Sequence, residues 1–245
     1  PLRAGVVRLI GAEALEELEG FEGFEAIAFD GDRAYLTVET MRNNAMVGYV
    51  VTGVMTPDLS GLRLYPTVRN EIAAQTAMTN MSEEALLIAG DRVITLYEGN
   101  GQLINPQPVA HVFDATDLSR LDPLPLAHLD FRITDATPLD DDNRFWALNT
   151  FYPGDLLKFG PDPLAIKYGM GATHRRHSAV ERLVQMELTP DGIILVERPP
   201  IQLQLADGRG RNWEGIVRLE TPALAGFLMV TDKRPRTILA FVADP

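Results

Sequence analysis

Two stretches of this chain follow one plan. Glu25-Ala-Ile-Ala-Phe-Asp-Gly-Asp-Arg-Ala-Tyr-Leu-Thr-Val-Glu39 returns as Glu84-Ala-Leu-Leu-Ile-Ala-Gly-Asp-Arg-Val-Ile-Thr-Leu-Tyr-Glu98, with Gly31-Asp32-Arg33 and Gly90-Asp91-Arg92 at one offset. Each copy is an apolar run, a Gly-Asp turn and a second apolar run, which is the pattern of a β-hairpin. Asp135 to Asn149 is a looser third copy of the same length, and Glu214 to Asp232 a fourth with a longer middle. Recurrence of a hairpin at roughly 50 to 60 residues predicts a β-propeller, whose blades are small antiparallel sheets around a channel.

Further strands are expected at 46–55 and 62–69, which complete a first blade, and at 108–113 and 124–132 in a second. Strands at 179–188 and 193–198 either finish the third blade or open another headed by Glu181. The fold is therefore an all-β, single-domain propeller over residues 1–245, with five blades favoured and four as the alternative. A lone strand at Gly5–Ile10 and a last blade one strand short suggest closure by pairing of the N- and C-terminal strands, which hides sheet edges. The segment Phe151–Ser178 breaks the pattern and reads as an irregular insertion, the kind of long loop that often carries function.

In a hairpin the first residue of one strand lies beside the last residue of the next. The acids that open and close each copy are then expected at one channel mouth: Glu25, Glu39, Glu84, Glu98, Asp135, Asn149, Glu214 and Asp232. Such a set of hard oxygen donors suits Ca²⁺, with Glu25, Glu84, Asp135, Asn149, Glu214 and Asp232 as the expected ligands. The same residues also serve as strand-end hydrogen-bond acceptors, with Arg33 and Arg92 as natural partners. His174 and His177 flank Arg175-Arg176 in the insertion, a pattern suited either to acid–base and anion chemistry or to a solvated basic patch. Glu84, Asp135, His174 and Arg176 form the candidate catalytic set.

Composition narrows the partners. A net charge of −12 argues against nucleic acid, whose phosphates call for a basic footprint. The absence of cysteine excludes thiolate nucleophiles, disulfides and Cys-based zinc sites. No apolar run reaches membrane-spanning length. Gly-x-Ser-x-Gly, P-loop and dinucleotide motifs are absent. A monomer with a small-molecule or metal ligand at the channel is expected.

The runs Glu84-Ala-Leu, Asp135-Ala-Thr, Asn212-Trp-Glu-Gly-Ile-Val217 and Gly226-Phe-Leu-Met-Val-Thr-Asp-Lys233 resemble the phytase-like ("esterase-like activity of phytase") group of β-propellers. That resemblance implies a propeller, an exported bacterial protein, and calcium dependence. Two functions follow as expectations. One is a calcium-dependent hydrolase of an ester, lactone or phosphoester. The other is a non-catalytic propeller that binds a ligand or protein, with a structural metal or none.

Overall fold

The computed structural model describes residues 5–152, 160–204, 208–232 and 236–244. Lys158, Lys233, Arg234 and part of the 151–178 insertion lie outside them. The chain forms a four-bladed β-propeller and divides into two compact units, Pro1–Leu96 with His111–Pro123, and Tyr97–Ala110 with Leu124–Pro245.

In the first unit, β1 (Arg8–Ile10) and the short helix α1 (Glu13–Glu16) precede four long strands: β2 (Phe21–Asp30), β3 (Arg33–Arg42), β4 (Ala45–Met55) and β5 (Gly61–Ala73). The sheet order is β1-β5-β4-β3-β2. Gly31 takes φ +62 in the two-residue link between Asp30 and Arg33, and Gly90 repeats this at φ +63. Asn43 and Asn44, both at positive φ, turn β3 into β4 as a tight hairpin. Both faces of β3 are covered, which explains its nearly unbroken apolar run. Leu36 and Val38 pack with Leu15, Val51 and Leu62, while Tyr35 packs with Val50, Ile72, Leu86 and Phe113.

The second blade is β6 (Glu83–Ala89), β7 (Arg92–Tyr97), β8 (Val109–Asp114) and β9 (Arg120–Pro125), in that order across the sheet. The third holds β10 (Arg132–Ala136) and β11 (Arg144–Phe151). Two short helices follow, α2 (Pro163–Tyr168) and α3 (Ala172–His177), and then β12 (Val180–Thr189), β13 (Gly192–Leu195) and β14 (Ile201–Gln202). The last blade is β15 (Trp213–Thr221), β16 (Leu224–Thr231) and β17 (Leu239–Ala243). Trp146, Leu148 and Leu183 of the third blade pack against Trp213, Ile216, Phe227 and Met229 of the fourth.

Three expectations are corrected. The blades number four, because Glu181 does not head a fifth: β12 pairs antiparallel with β11, with Thr150 opposite Glu181. Where the N-terminal strand was expected to pair with the C-terminal one, β1 runs parallel to β5 of its own blade, Arg8 opposite Gly61. Among the described residues the last blade has three strands.

The third correction concerns register. Glu39 faces Gly23 rather than Glu25: the two-residue turn offsets the pair by one position, and the ladder slips once more between Phe24 and Ile27. The β10–β11 ladder slips between Ile133 and Asp135, which sets Asn149 against Ile133, and the β15–β16 ladder slips between Trp213 and Gly215. A β-bulge thus recurs near the start of the first strand in these three blades and re-aims the side chains there. Two of these bulges are tied to the next blade in their unit through a threonine hydroxyl. Thr37 Oγ1 accepts from Ala26 N at 2.9 Å and donates to the Glu83 carbonyl at 2.7 Å. Thr134 Oγ1 donates to the Trp213 carbonyl at 2.7 Å.

Candidate active site in the third blade

The second unit gathers a buried ion network on the face of the third blade where β10 begins. Phe131, immediately before β10, adopts φ +71, a left-handed conformation that bulky residues rarely take. This turn directs the carbonyls of Asp130 and Arg132 at one acceptor-seeking group: Asn149 Nδ2, at the far end of β11, donates to both at 3.0 Å. Asn149 Oδ1 in turn accepts from Arg182 Nε at 2.8 Å, across the register pair that joins β11 to β12. The amide is fully used and fully buried.

Arg182 extends from Asn149 to Asp162. Its Nη1 donates to Oδ2 at 2.7 Å and its Nη2 to Oδ1 at 3.1 Å, a two-pronged charge-assisted pair. The arginine is 1% exposed, among the largest sealed side chains in the protein. Asp162 also caps α2, accepting from Leu164 N at 3.1 Å, with Pro163 at the first helical position. The guanidinium lies 5.4 Å from the Phe131 ring, whose other neighbours are Phe151 and the edge of His174.

Asp130 completes the group. Burial pushes its carboxyl above the ordinary aspartate range, and the charge of Asp162 adds to that rise; a Gly160 N–H, Arg182 and His128 pull the other way. His174 is shifted down by burial, against the pull of Asp162 and with a smaller push from Arg182. Arg132 pairs with Glu98 beside this cluster. One buried arginine thus grips the carboxylate of Asp162, while the carboxyl of Asp130, in reach of its charge, is raised by burial. Proton donation and acceptance at nearby atoms is the chemistry such a pair supports.

The residues expected from the sequence have varied fates. Asn149 and His174 belong to this network. Asp135 is a brace: Oδ2 accepts from Ile216 N of the next blade at 2.7 Å and Oδ1 from Ala136 N at 2.8 Å. Although the residue keeps some exposed area, its carboxyl is enclosed by protein, and burial pushes it up to about 7 despite those two bonds. Glu214 accepts from Asn212 Nδ2, and Asp232 N donates to the Asn212 carbonyl at 2.9 Å, so both close the end of the fourth blade. Arg176 is exposed at the end of α3. Glu25 and Glu84 are half-buried in the first unit, Glu25 at the β2 bulge beside Gly23. Among the described residues no three His, Asp or Glu side chains are grouped to hold a metal ion. Of the donors expected for calcium, Asp135 accepts from two backbone amides and Asn149 Oδ1 accepts from Arg182.

Asp130, Asp162 and Arg182 were missed. Asp162-Pro163 was readable as a helix start, but the pairing of Asp162 with Arg182, on another element, was not.

No protein-family model matches this sequence, and no curated protein does. Among solved structures, the chain is similar to an exo-1,5-α-L-arabinanase from a bovine ruminal metagenomic library, with a TM-score of 0.51 and 12% identity over 98% of this chain and 80% of that one. A GH32 β-fructofuranosidase of Bombyx mori has a TM-score of 0.43 and 11% identity, over 84% of this chain and 41% of that one. An apocarotenoid oxygenase of Synechocystis gives 0.40 and 10%, over 92% and 50%. At such identity the likeness to the arabinanase is one of fold, and the fold is a β-propeller.

Proposed function

We propose that this protein is a propeller hydrolase that cleaves a glycosidic bond, with Asp130 as the proton-donating acid and Asp162, held by Arg182, as its partner carboxylate. The observation that carries this reading is the buried placement of two carboxyl groups beside Arg182, only one of which the guanidinium grips with two hydrogen bonds. Asp130 is raised by burial and by Asp162, while Asp162 is clamped by the guanidinium. Glycoside hydrolysis requires such a division: one carboxylic acid protonates the leaving oxygen, and one carboxylate orients water or attacks the sugar. Ester or phosphoester cleavage calls instead for a nucleophile–base pair or a metal. His174, the candidate base from the insertion, meets the ring of Phe131 edge-on. The fold-level likeness to an arabinanase supports the same choice by analogy.

Among the described residues Asp162 Oδ2 accepts one hydrogen bond, from Arg182, which leaves a lone pair with which to orient water. Asn149 and Arg182 position the pair and do not touch the reacting atoms.

A second reading has its own support. Asp130 and Asp162 are each 9% exposed, as expected of a brace inside a ligand-binding propeller with no turnover. A panel of aryl glycosides and arabino- and fructo-oligosaccharides, with aryl esters and phosphoesters alongside, separates the two. Turnover of a glycoside that falls at least 100-fold in Asp130→Asn, with an unchanged melting temperature, supports the hydrolase. No turnover of any glycoside by the folded protein, or full activity in Asp130→Asn, overturns it.

A further inference from the structure

A groove of about 660 Å³ opens in the second unit, lined among others by Asp140, Arg144, Trp146, Gln185, Arg198 and Arg218. It is separate from the Asp130–Asp162 network. Arg144 and Asn149 lie toward opposite ends of β11, about 16 Å apart at about 3.3 Å per residue. The volume is in the range of small-molecule sites, roughly 300–1,000 Å³.

Its wall is a ladder of guanidinium groups and rings. Arg198 lies 4.7 Å from the Trp146 ring centre, Trp146 meets Phe227 edge-on at 5.7 Å, and Arg218 lies 4.9 Å from the Phe227 ring. The ladder joins β11 to β15 and β16 and fixes the orientation of both arginines. Their charges are treated differently. Arg218 is neutralised by Asp244 and Glu220, and Arg144 by Glu187. Asp140 is occupied by the backbone amides of Asp142 and Arg144. Arg198 meets no carboxylate among the described residues: its Nη1 donates to Gln185 Oε1 at 3.1 Å, and its flat face rests on Trp146. A half-buried guanidinium, held at one edge and one face and lacking a counter-ion, presents its remaining edge to a planar two-oxygen anion.

We propose that this groove is a binding site for a carboxylate-bearing small molecule, with Arg198 as the carboxylate anchor and Trp146 and Gln185 as the groups that hold its guanidinium in place. Neutral sugars lack the group that Arg198 recognises and do not bind here. The site operates independently of turnover at the Asp130–Asp162 pair.

The test is a titration of the intact protein with glucuronate and galacturonate, with citrate and acetate, and with glucose as the neutral control. Binding is followed by tryptophan fluorescence and calorimetry. Saturable binding of a carboxylate, with no glucose response, is expected. Arg198→Gln should weaken it about tenfold or more, and Arg198→Lys, which keeps the charge but loses the fork, by less. Preference for the uronates identifies an acidic sugar as the ligand, and preference for citrate a free organic acid; both support the site. Asp130→Asn should bind like the unaltered protein. Absence of saturable carboxylate binding, or equal binding by Arg198→Gln with an unchanged melting curve, overturns the proposal. If Arg198→Gln fails to fold, Arg198→Lys carries the test, and an unchanged affinity there overturns it.

Discussion

Arg182 and Asp162 are joined by two hydrogen bonds, at 2.7 and 3.1 Å, with the arginine side chain 2% and the aspartate side chain 7% exposed. Charges removed from water to this degree are costly unless every donor and acceptor is matched. Here Arg182 also bonds Asn149, and Asp162 also caps α2. The pair is therefore a joint of the third blade whatever it does chemically, because it ties the helical excursion back to β12.

Removing one member should cost more than removing both. Arg182→Met leaves Asp162 buried without its counter-ion, and the expected loss is about 3–5 kcal/mol. The double change Arg182→Met with Asp162→Asn relieves the stranded charge and should recover part of that loss. Urea unfolding of the four proteins in a double-mutant cycle measures the coupling. Additive losses would show that the two side chains do not depend on one another.

Thr37 supports a different joint. Its hydroxyl accepts from the amide at the β2 bulge and donates to the Glu83 carbonyl at the head of β6. Thr37→Val keeps the shape and leaves both backbone groups unmatched in a buried place. A loss of about 1–3 kcal/mol is expected for these orphaned groups, read by chemical denaturation. Thr37→Ser, which restores the hydroxyl, should recover most of it.

These joints show what the sequence did and did not disclose. The Gly-Asp turns at Gly31 and Gly90 were legible because a tight link between apolar runs calls for a residue comfortable at positive φ. The propeller followed from their repetition. The bulges were not legible: one extra residue in a strand leaves composition and length almost unchanged but shifts every later side chain relative to its partner. That shift sets Asn149 against Ile133 and turns Asp135 toward Ile216. Asn149 and His174 were picked for their positions in a repeat and an insertion. Their actual partners, Arg182 and Phe131, come from other elements that only the folded chain brings near.

Asp135 should make stability depend on pH. Its carboxyl rises from 3.8 in the free state to about 7 when folded, so the folded protein holds its proton more tightly than the unfolded chain does. The contribution is fully present below about pH 4 and is lost as pH rises through 7, with an upper bound on the order of 4 kcal/mol. Asp135→Asn cannot titrate. It forgoes one of the two backbone bonds, a constant loss of about 1 kcal/mol, but should flatten the decline in stability between pH 4 and 7. Parallel declines in the two proteins would show that Asp135 ionises normally.

Gly101 offers a way to disturb the proposed acid without altering it. A methyl group at this position would lie 2.7 Å from Asp130 Oδ1, closer than a Cβ is found to a neighbouring atom, whereas the Asp130 backbone is 3.5 Å away at ordinary contact distance. The carboxyl is the end of a side chain that rotates, so Gly101→Ala should turn it aside at little cost to folding. Small displacements of a reacting group are heavily penalised in rate, and a fall in turnover of about 10- to 100-fold is expected from that geometry alone. The same rotation should change how Asp130 senses Asp162, so its carboxyl titration, followed by carbon NMR, should move as well. A variant that titrates and turns over like the parent would mean that Asp130 need not sit where it does. The acid would then have to be sought among other groups.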